Sequence, residues 1–216
     1  MNALRERQLA ALADLKPALI VVDVQRSFGD PDHLTGYELS PADASAVASA
    51  IEETARLVDS ARASGVEVFW VELASEPSRP LRSSMWLQDG DPAALPGGDF
   101  PCLVGTPGAE WYGVAPAPGE VVVQKTGYSG FVGTDLAERL QASGIGWVSG
   151  AGLTTECCID ATATYAFHAE LLVLIPADAV AAYSRELNRT ALEQLALTVA
   201  VVSSVDELAT LWEVTA

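Results

Sequence analysis

Three side chains of unlike chemistry lie at the ends of apolar runs or just past them. Asp23 follows Ala18-Leu19-Ile20-Val21-Val22, and Lys125 follows Val121-Val122-Val123-Gln124. Cys158 lies beyond Ile145-Gly146-Trp147-Val148 and the turn Ser149-Gly150-Ala151-Gly152-Leu153-Thr154-Thr155. A thiol at a helix start feels the positive end of the helix dipole, and an ammonium nearby acts in the same direction, so Cys158 is expected to titrate below the usual value of about 8.5. A carboxylate at the same place can take the thiol proton and return it to a leaving amine. Backbone N–H groups of the turn can receive an oxyanion. The two histidines, His33 and His168, fall elsewhere, which makes a Cys–His pair the weaker arrangement. Taken singly, each residue has a plainer reading: Asp23 as a cap or ion-pair partner, Lys125 as a surface lysine, Cys158 as a small core residue.

The elements that would bring the three together can be read from the same runs. Short Val/Ile-rich segments at 18–22, 66–71, 121–123, 145–148, 171–175 and 199–202 read as buried parallel strands. Helical stretches alternate with them. Ser40-Pro41-Ala42-Asp43 is a helix start running to about Ala63, with Gly65 as the stop. Thr134 is expected to cap the helix that ends near Gly144, and Ser204 with Glu207 to form a capping box. The alternation implies an α/β fold: a three-layer α/β/α sandwich with a mostly parallel, about six-stranded, Rossmann-like sheet. Ligands of such sheets bind outside the carboxyl ends of the strands, where the three reactive groups fall. One domain spans 1–216. Between about 73 and 119 lie 8 of the 12 prolines, so this segment is expected to be irregular. Its aromatic residues Trp86, Phe100 and Trp111 argue that it packs over the sheet edge or at a subunit interface.

Composition narrows the partners. Half the residues are apolar, enough for a sizeable core. A net charge of −17 argues against nucleic acid and against an anionic membrane surface. No run of about 18 apolar residues exists, and Met1-Asn2-Ala3-Leu4-Arg5-Glu6-Arg7 starts an amphipathic helix rather than a signal peptide. Three cysteines, two of them adjacent, do not make a disulfide framework, so the chain is expected in the cytoplasm with a free thiol.

The stretches Val21-Val22-Asp23-Val24-Gln25-Arg26-Ser27-Phe28, Lys125-Thr126-Gly127-Tyr128-Ser129-Gly130-Phe131 and Gly152-Leu153-Thr154-Thr155-Glu156-Cys157-Cys158-Ile159-Asp160-Ala161-Thr162 resemble the isochorismatase-like cysteine hydrolases. Gly105–Glu110 and Asp178-Ala179 also look like family positions, so the resemblance covers nearly the whole chain. It implies Asp23 as general acid/base, Lys125 as its support, and Cys158 rather than Cys157 as nucleophile. It further implies a cis peptide between Leu153 and Thr154, with the N–H groups of Thr154 and Cys158 receiving the oxyanion. Gln25 would brace the substrate site, and Phe28, Tyr128, Phe131 and Trp111 would wall it, although each of the four aromatics also suits an ordinary core. Nicotinamidases of the family carry a metal-binding D-x-H run after the second strand. Here Trp70-Val71-Glu72-Leu73-Ala74-Ser75-Glu76-Pro77 has no histidine, so neither metal nor other cofactor is expected. Isochorismatases proper, which cleave a vinyl ether, commonly lack the cysteine. Cys158 therefore favours hydrolysis of a small amide, carbamoyl or ureido compound through an acyl-enzyme thioester. A vinyl-ether hydrolase indifferent to the thiol and a non-catalytic thiol-bearing protein are the alternatives. The resemblance also suggests a homodimer or homotetramer. Arg79 and Arg82 could pair with a substrate carboxylate, or simply be solvated.

Overall fold

The computed structural model describes residues 3–97 and 100–215; Met1, Asn2, Gly98, Asp99 and Ala216 lie outside the described residues. In chain order the elements are α1 (Ala3–Ala10), β1 (Lys16–Val22), α2 (Arg26–Gly29), α3 (Pro41–Ala63), β2 (Glu67–Leu73), α4 (Arg82–Asp89), β3 (Val121–Lys125), α5 (Leu136–Ala142) and β4 (Ile145–Leu153). A π-type turn, Thr155–Ile159, runs into α6 (Asp160–His168). Then come β5 (Leu172–Pro176), β6 (Val180–Ala181), α7 (Arg185–Thr198), β7 (Val201–Ser203) and α8 (Val205–Thr215). Among the described residues no helix is long and apolar enough to cross a membrane.

All strand pairings are parallel. The sheet order is β3-β2-β1-β4-β5-β7, with the two-residue β6 added beside the carboxyl end of β4. Side chains of a strand alternate between faces, and β1 divides its residues accordingly. Leu19 and Val21 pack with Trp70, Leu57 of α3 and Trp212 of α8. Ile20 and Val22 pack with Phe69, Leu140 of α5 and Ala163 of α6. Two separate cores on one sheet give the three layers.

Several boundaries differ from the sequence reading, each for a local reason. β4 does not stop at Val148 but continues through the glycines to Leu153. Its neighbours come too close for side chains there: a Cβ on Gly152 would meet the Val22 carbonyl oxygen at 2.0 Å. Glycine in this strand marks close backbone approach rather than the start of a loop. α5 begins at Leu136, so Asp135 and not Thr134 holds the cap position, although Thr134 Oγ1 accepts from the Leu136 N–H at 3.4 Å while donating to the Gly130 carbonyl at 2.6 Å. Ser204 Oγ accepts from the Glu207 N–H at 3.2 Å, but the Glu207 carboxylate turns to Arg5, so only half of a capping box forms. The Ser40 cap is present, accepting from the Asp43 N–H at 3.2 Å. Within the proline-rich segment, α4 and a short 3₁₀ turn at Pro107–Ala109 interrupt otherwise irregular backbone.

Candidate active site

β1 ends in a sharp turn at Asp23. The residue has φ of +52°, a left-handed conformation that costs a non-glycine residue energy and is held only where surroundings enforce it. Here the Asp23 N–H donates to the Val71 carbonyl and its own carbonyl accepts from the Gln25 N–H, both at 2.8 Å. Its side chain is fully buried. Lys125 ends β3, with β2 lying between it and β1. Its long stem crosses that strand, and Nζ donates to Asp23 Oδ2 at 2.7 Å, the Gly127 carbonyl at 2.8 Å and Cys158 Sγ at 3.4 Å. One ammonium therefore joins three strand ends.

Cys158 is delivered by the turn after β4. The Leu153–Thr154 peptide is cis. The Thr154 carbonyl accepts from the N–H groups of Cys157 and Ile159 at 3.2 and 3.1 Å, which starts the helical run. Thr155 Oγ1 donates to Asn188 Oδ1 at 2.5 Å and ties that start to α7. Cys158 is buried against the α5–α6 core, while Cys157 is half-buried beside it.

The electrostatics fit proton transfer within a closed site. Burial pushes the Asp23 carboxyl up; Lys125, Cys158 and the Leu73 backbone pull it down without cancelling that rise. A carboxylate so placed keeps a higher proton affinity, as a general base needs. Its Oδ1 has no hydrogen-bond partner among the described residues. Burial disfavours the Lys125 cation, but Asp23 and the Cys158 sulfur overcome this and hold the ammonium protonated. Cys158 departs from the expectation of a lowered value. The neighbouring Cys157 thiol, burial and the Asp23 charge push it well above the usual thiol range, against Lys125. Cys157 is the one shifted down, through its contact with Cys158. Its surroundings thus favour the thiol form of Cys158 over the thiolate.

The remaining residues named from sequence fall into two groups. Phe28 and Tyr128 line a cavity of about 140 Å³ bounded by the ends of β2 and β3 and by the proline-rich segment. Phe131 and Trp111 are not among its lining residues: Phe131 is buried and stacks on Tyr165, and Trp111 sets its edge against Trp70. Gln25 is buried and acts as a tie. Its Nε2 donates to the carbonyls of Leu73 and Ala109, both at 3.0 Å, and its Oε1 accepts from the Leu73 N–H at 2.9 Å. Thr154 borders Cys158 in the turn. Arg79 and Arg82 are both exposed, and only Arg79 lines the cavity. Two contributors were missed from sequence. The Gly127 carbonyl carries no side-chain signal. Ser27 Oγ accepts from the Cys102 N–H at 2.9 Å, and the one available clue was its place inside the Asp23–Phe28 run. Among the described residues no group of three or more His, Cys, Asp or Glu is arranged to hold a metal ion.

Known proteins agree with this architecture. The chain is 30% identical over 195 residues to the ureidoacrylate amidohydrolase RutB of Methylobacterium radiotolerans, covering 82% of this chain and 72% of that protein. It is 34% identical over 184 residues to a streptothricin hydrolase of Streptomyces noursei, covering 85% and 61% respectively. The solved N-carbamoylsarcosine amidase of Thermoplasma acidophilum superimposes with a TM-score of 0.69 at 25% identity, over 89% of this chain and 98% of that one. Residues 17–207 match the isochorismatase domain, and the chain belongs to the isochorismatase family.

Proposed function

We propose that this chain is a cysteine-dependent amidohydrolase that cleaves the C–N bond of a small amide, carbamoyl or ureido compound, with Cys158 as nucleophile. The observation that carries the reading is the ammonium of Lys125, which is held between Asp23 Oδ2 and Cys158 Sγ in a fully buried cluster. It is supported by relatives whose names describe amide-bond hydrolysis.

The steps follow from the groups present. Asp23 takes the Cys158 thiol proton as the sulfur attacks the substrate carbonyl carbon. The carbonyl π electrons move to oxygen, and the N–H groups of Thr154 and Cys158 receive that oxyanion. Collapse breaks the C–N bond, and Asp23 gives its proton to the departing nitrogen, which leaves as ammonia or an amine. Water then attacks the thioester with Asp23 again as base. The C–S bond breaks and the thiol recovers its proton. Lys125 stays protonated throughout, offsetting the charge of whichever neighbour is ionised. Because the resting thiol is pushed up, proton transfer and attack are coupled, and a preformed thiolate is not required.

The test is ammonia release from a panel of small amides and ureido compounds. Cys158→Ala should abolish it, while Cys157→Ala should retain most of it. Loss only in Cys157→Ala would move the nucleophile by one residue. No ammonia from any compound, with a vinyl ether cleaved as fast by Cys158→Ala as by the wild type, would favour the vinyl-ether alternative.

The chain acts in the cytoplasm, a reading supported by the free thiols of Cys102, Cys157 and Cys158. Its charge disfavours nucleic acid and anionic membranes as partners. It self-associates as a homodimer or homotetramer, as the exposed Trp86 and Leu87 of α4 suggest. A light-scattering mass near 22.6 kDa at micromolar concentration would exclude this.

A further inference from the structure

The chain has 12 basic residues against 29 acidic ones, and acid partners are abundant. Nine of the basic side chains form ion pairs with acids. Among the described residues the three without one are Arg7 in α1 and the pair Arg79 and Arg82 in the proline-rich segment. In so acidic a protein, a cation left without an acid beside the active site calls for a physical reason.

Position separates the two arginines of the segment. Arg79 lines the 140 Å³ cavity together with Phe28, Tyr128, Leu73 and Gly127, and Arg82 does not. None of Asp23, Lys125 and Cys158 lines the cavity, but two of its lining residues touch that cluster. The Gly127 carbonyl on its wall accepts from Lys125 Nζ, and Leu73 is the register partner of Lys125. Its wall is otherwise largely apolar and aromatic, with one opposing charge, Glu76. That acid makes no ion pair with Arg79 among the described residues, although its backbone carbonyl accepts from the Arg79 N–H at 3.1 Å and closes the turn that carries the arginine.

We infer that Arg79 determines specificity by anchoring a carboxylate on the far end of the substrate, so that the preferred compounds are short ureido or carbamoyl acids rather than neutral amides. The inference rests on the amidohydrolase reading above and adds the substrate's charge to it. A guanidinium suits the role because its planar fork pairs with a carboxylate through two parallel hydrogen bonds. The overall negative field of the protein repels such a substrate, so a local cation has to supply the attraction. Glu76 works against the anchor and limits its strength.

The experiment compares 3-ureidopropanoate with its neutral counterpart 3-hydroxypropylurea. Two readouts are used: ammonia release, and protection of Cys158 from iodoacetamide in a Cys157→Ala background. The wild type should favour the acid in both. Arg79→Gln should lower the acid-over-neutral ratio of kcat/KM about tenfold, mainly through KM, the scale of one charge-assisted hydrogen bond in a solvent-accessible site. Arg79→Lys should restore part of the ratio, and Arg82→Gln should leave it as in the wild type. An acid-over-neutral ratio unchanged in Arg79→Gln, in turnover and in protection, overturns the anchor. So does a wild type that shows no preference for the acid in either readout. Acid-selective protection that Arg79→Gln abolishes, with no ammonia from any compound, keeps the anchor and instead removes the amidohydrolase reading.

Discussion

Two carboxylates mark the two ends of β3 and make instructive opposites. At its carboxyl end, Lys125 reaches Asp23, which has its Oδ2 on the ammonium and its Oδ1 without a hydrogen-bond partner among the described residues. At its amino end, Glu120 meets Arg62 through both oxygens, at 2.8 and 3.0 Å. It also accepts from Trp70 Nε1 at 2.7 Å and from the Ala117 N–H at 2.8 Å. Both acids hold a cation, yet their proton affinities move in opposite directions. Burial raises each, but four donors around Glu120 outweigh it and hold that carboxyl below its usual range, whereas Asp23 stays raised. Depth of burial decides the sign: the Asp23 side chain is fully enclosed, while Glu120 keeps contact with water and its donors prevail. A carboxylate saturated with donors is a fastening. One that is buried and left an open oxygen is available to a proton.

The comparison breaks most visibly in turnover. Asp23→Asn should lower kcat by about 10²–10⁴-fold, the usual worth of a positioned acid–base group. The same change removes the anion that helps push the Cys158 thiol up. Iodoacetamide labelling of Cys158 in a Cys157→Ala background should therefore be at least as fast as with Asp23 intact. Slower labelling would mean that Asp23 activates the thiol in the resting protein. Glu120→Gln should leave kcat within about twofold, because Glu120 lies at the other end of the strand from the cluster.

Stability sharpens the same contrast. Lys125→Met strips a fully buried carboxylate of its cation and should cost about 3–5 kcal/mol in urea unfolding. Arg62→Ala removes a partner from an acid that keeps two other donors and stands nearer to water, so about 1 kcal/mol is expected. Equal losses would show that the two pairs sit in equivalent surroundings.

Gln25 extends the contrast to the proline-rich segment, which lacks a sheet ladder and depends on ties. Gln25→Leu leaves the Leu73 N–H and the Leu73 and Ala109 carbonyls without their partner and should cost about 1–3 kcal/mol. Hydrogen exchange should quicken at residues 73–75 and 109–112, with the central strands protected as before. Uniform acceleration across the sheet would contradict a local tie.

Much of this arrangement was legible because strands announce themselves by apolar runs, and residues just after such runs sit at the carboxyl edge of the sheet. Asp23 and Lys125 were found that way. Cys158 needed more, since β4 hides its last residues in glycines that resemble a loop, and only the Gly152-to-Cys158 pattern pointed to the turn. What stayed illegible depends on contacts between distant segments. Nothing local distinguishes Phe28 and Tyr128, which line the cavity, from Phe131 and Trp111, which pack elsewhere. The thiol's upward shift was missed because helix-dipole and lysine effects can be read from sequence, whereas burial and the closeness of Cys157 and Asp23 cannot be weighed without coordinates.

The smallest effect is the pH dependence of stability, and there the two acids should act with opposite sign. Glu120 has its folded value below the unfolded one, so its contribution is present above about pH 4.3 and is lost as pH falls through the folded value. Asp23 has its folded value above the unfolded one, so its contribution is fully present below about pH 3.9 and is lost as pH rises through the folded value. Urea unfolding between about pH 6 and pH 3 should then give three distinct profiles. Glu120→Gln should be less stable than wild type near neutrality and should lose less on acidification, by on the order of 1 kcal/mol, about the worth of one charge-assisted hydrogen bond. Asp23→Asn cannot bind the proton that the folded wild type takes up preferentially, so its stability should fall more steeply with acid than the wild type's. The double variant separates the contributions, since the sites lie at opposite ends of β3 and should add. If Asp23→Asn flattens the acid limb instead, the Lys125 attraction outweighs burial at Asp23, and the two ends of the strand hold the same kind of ion pair after all.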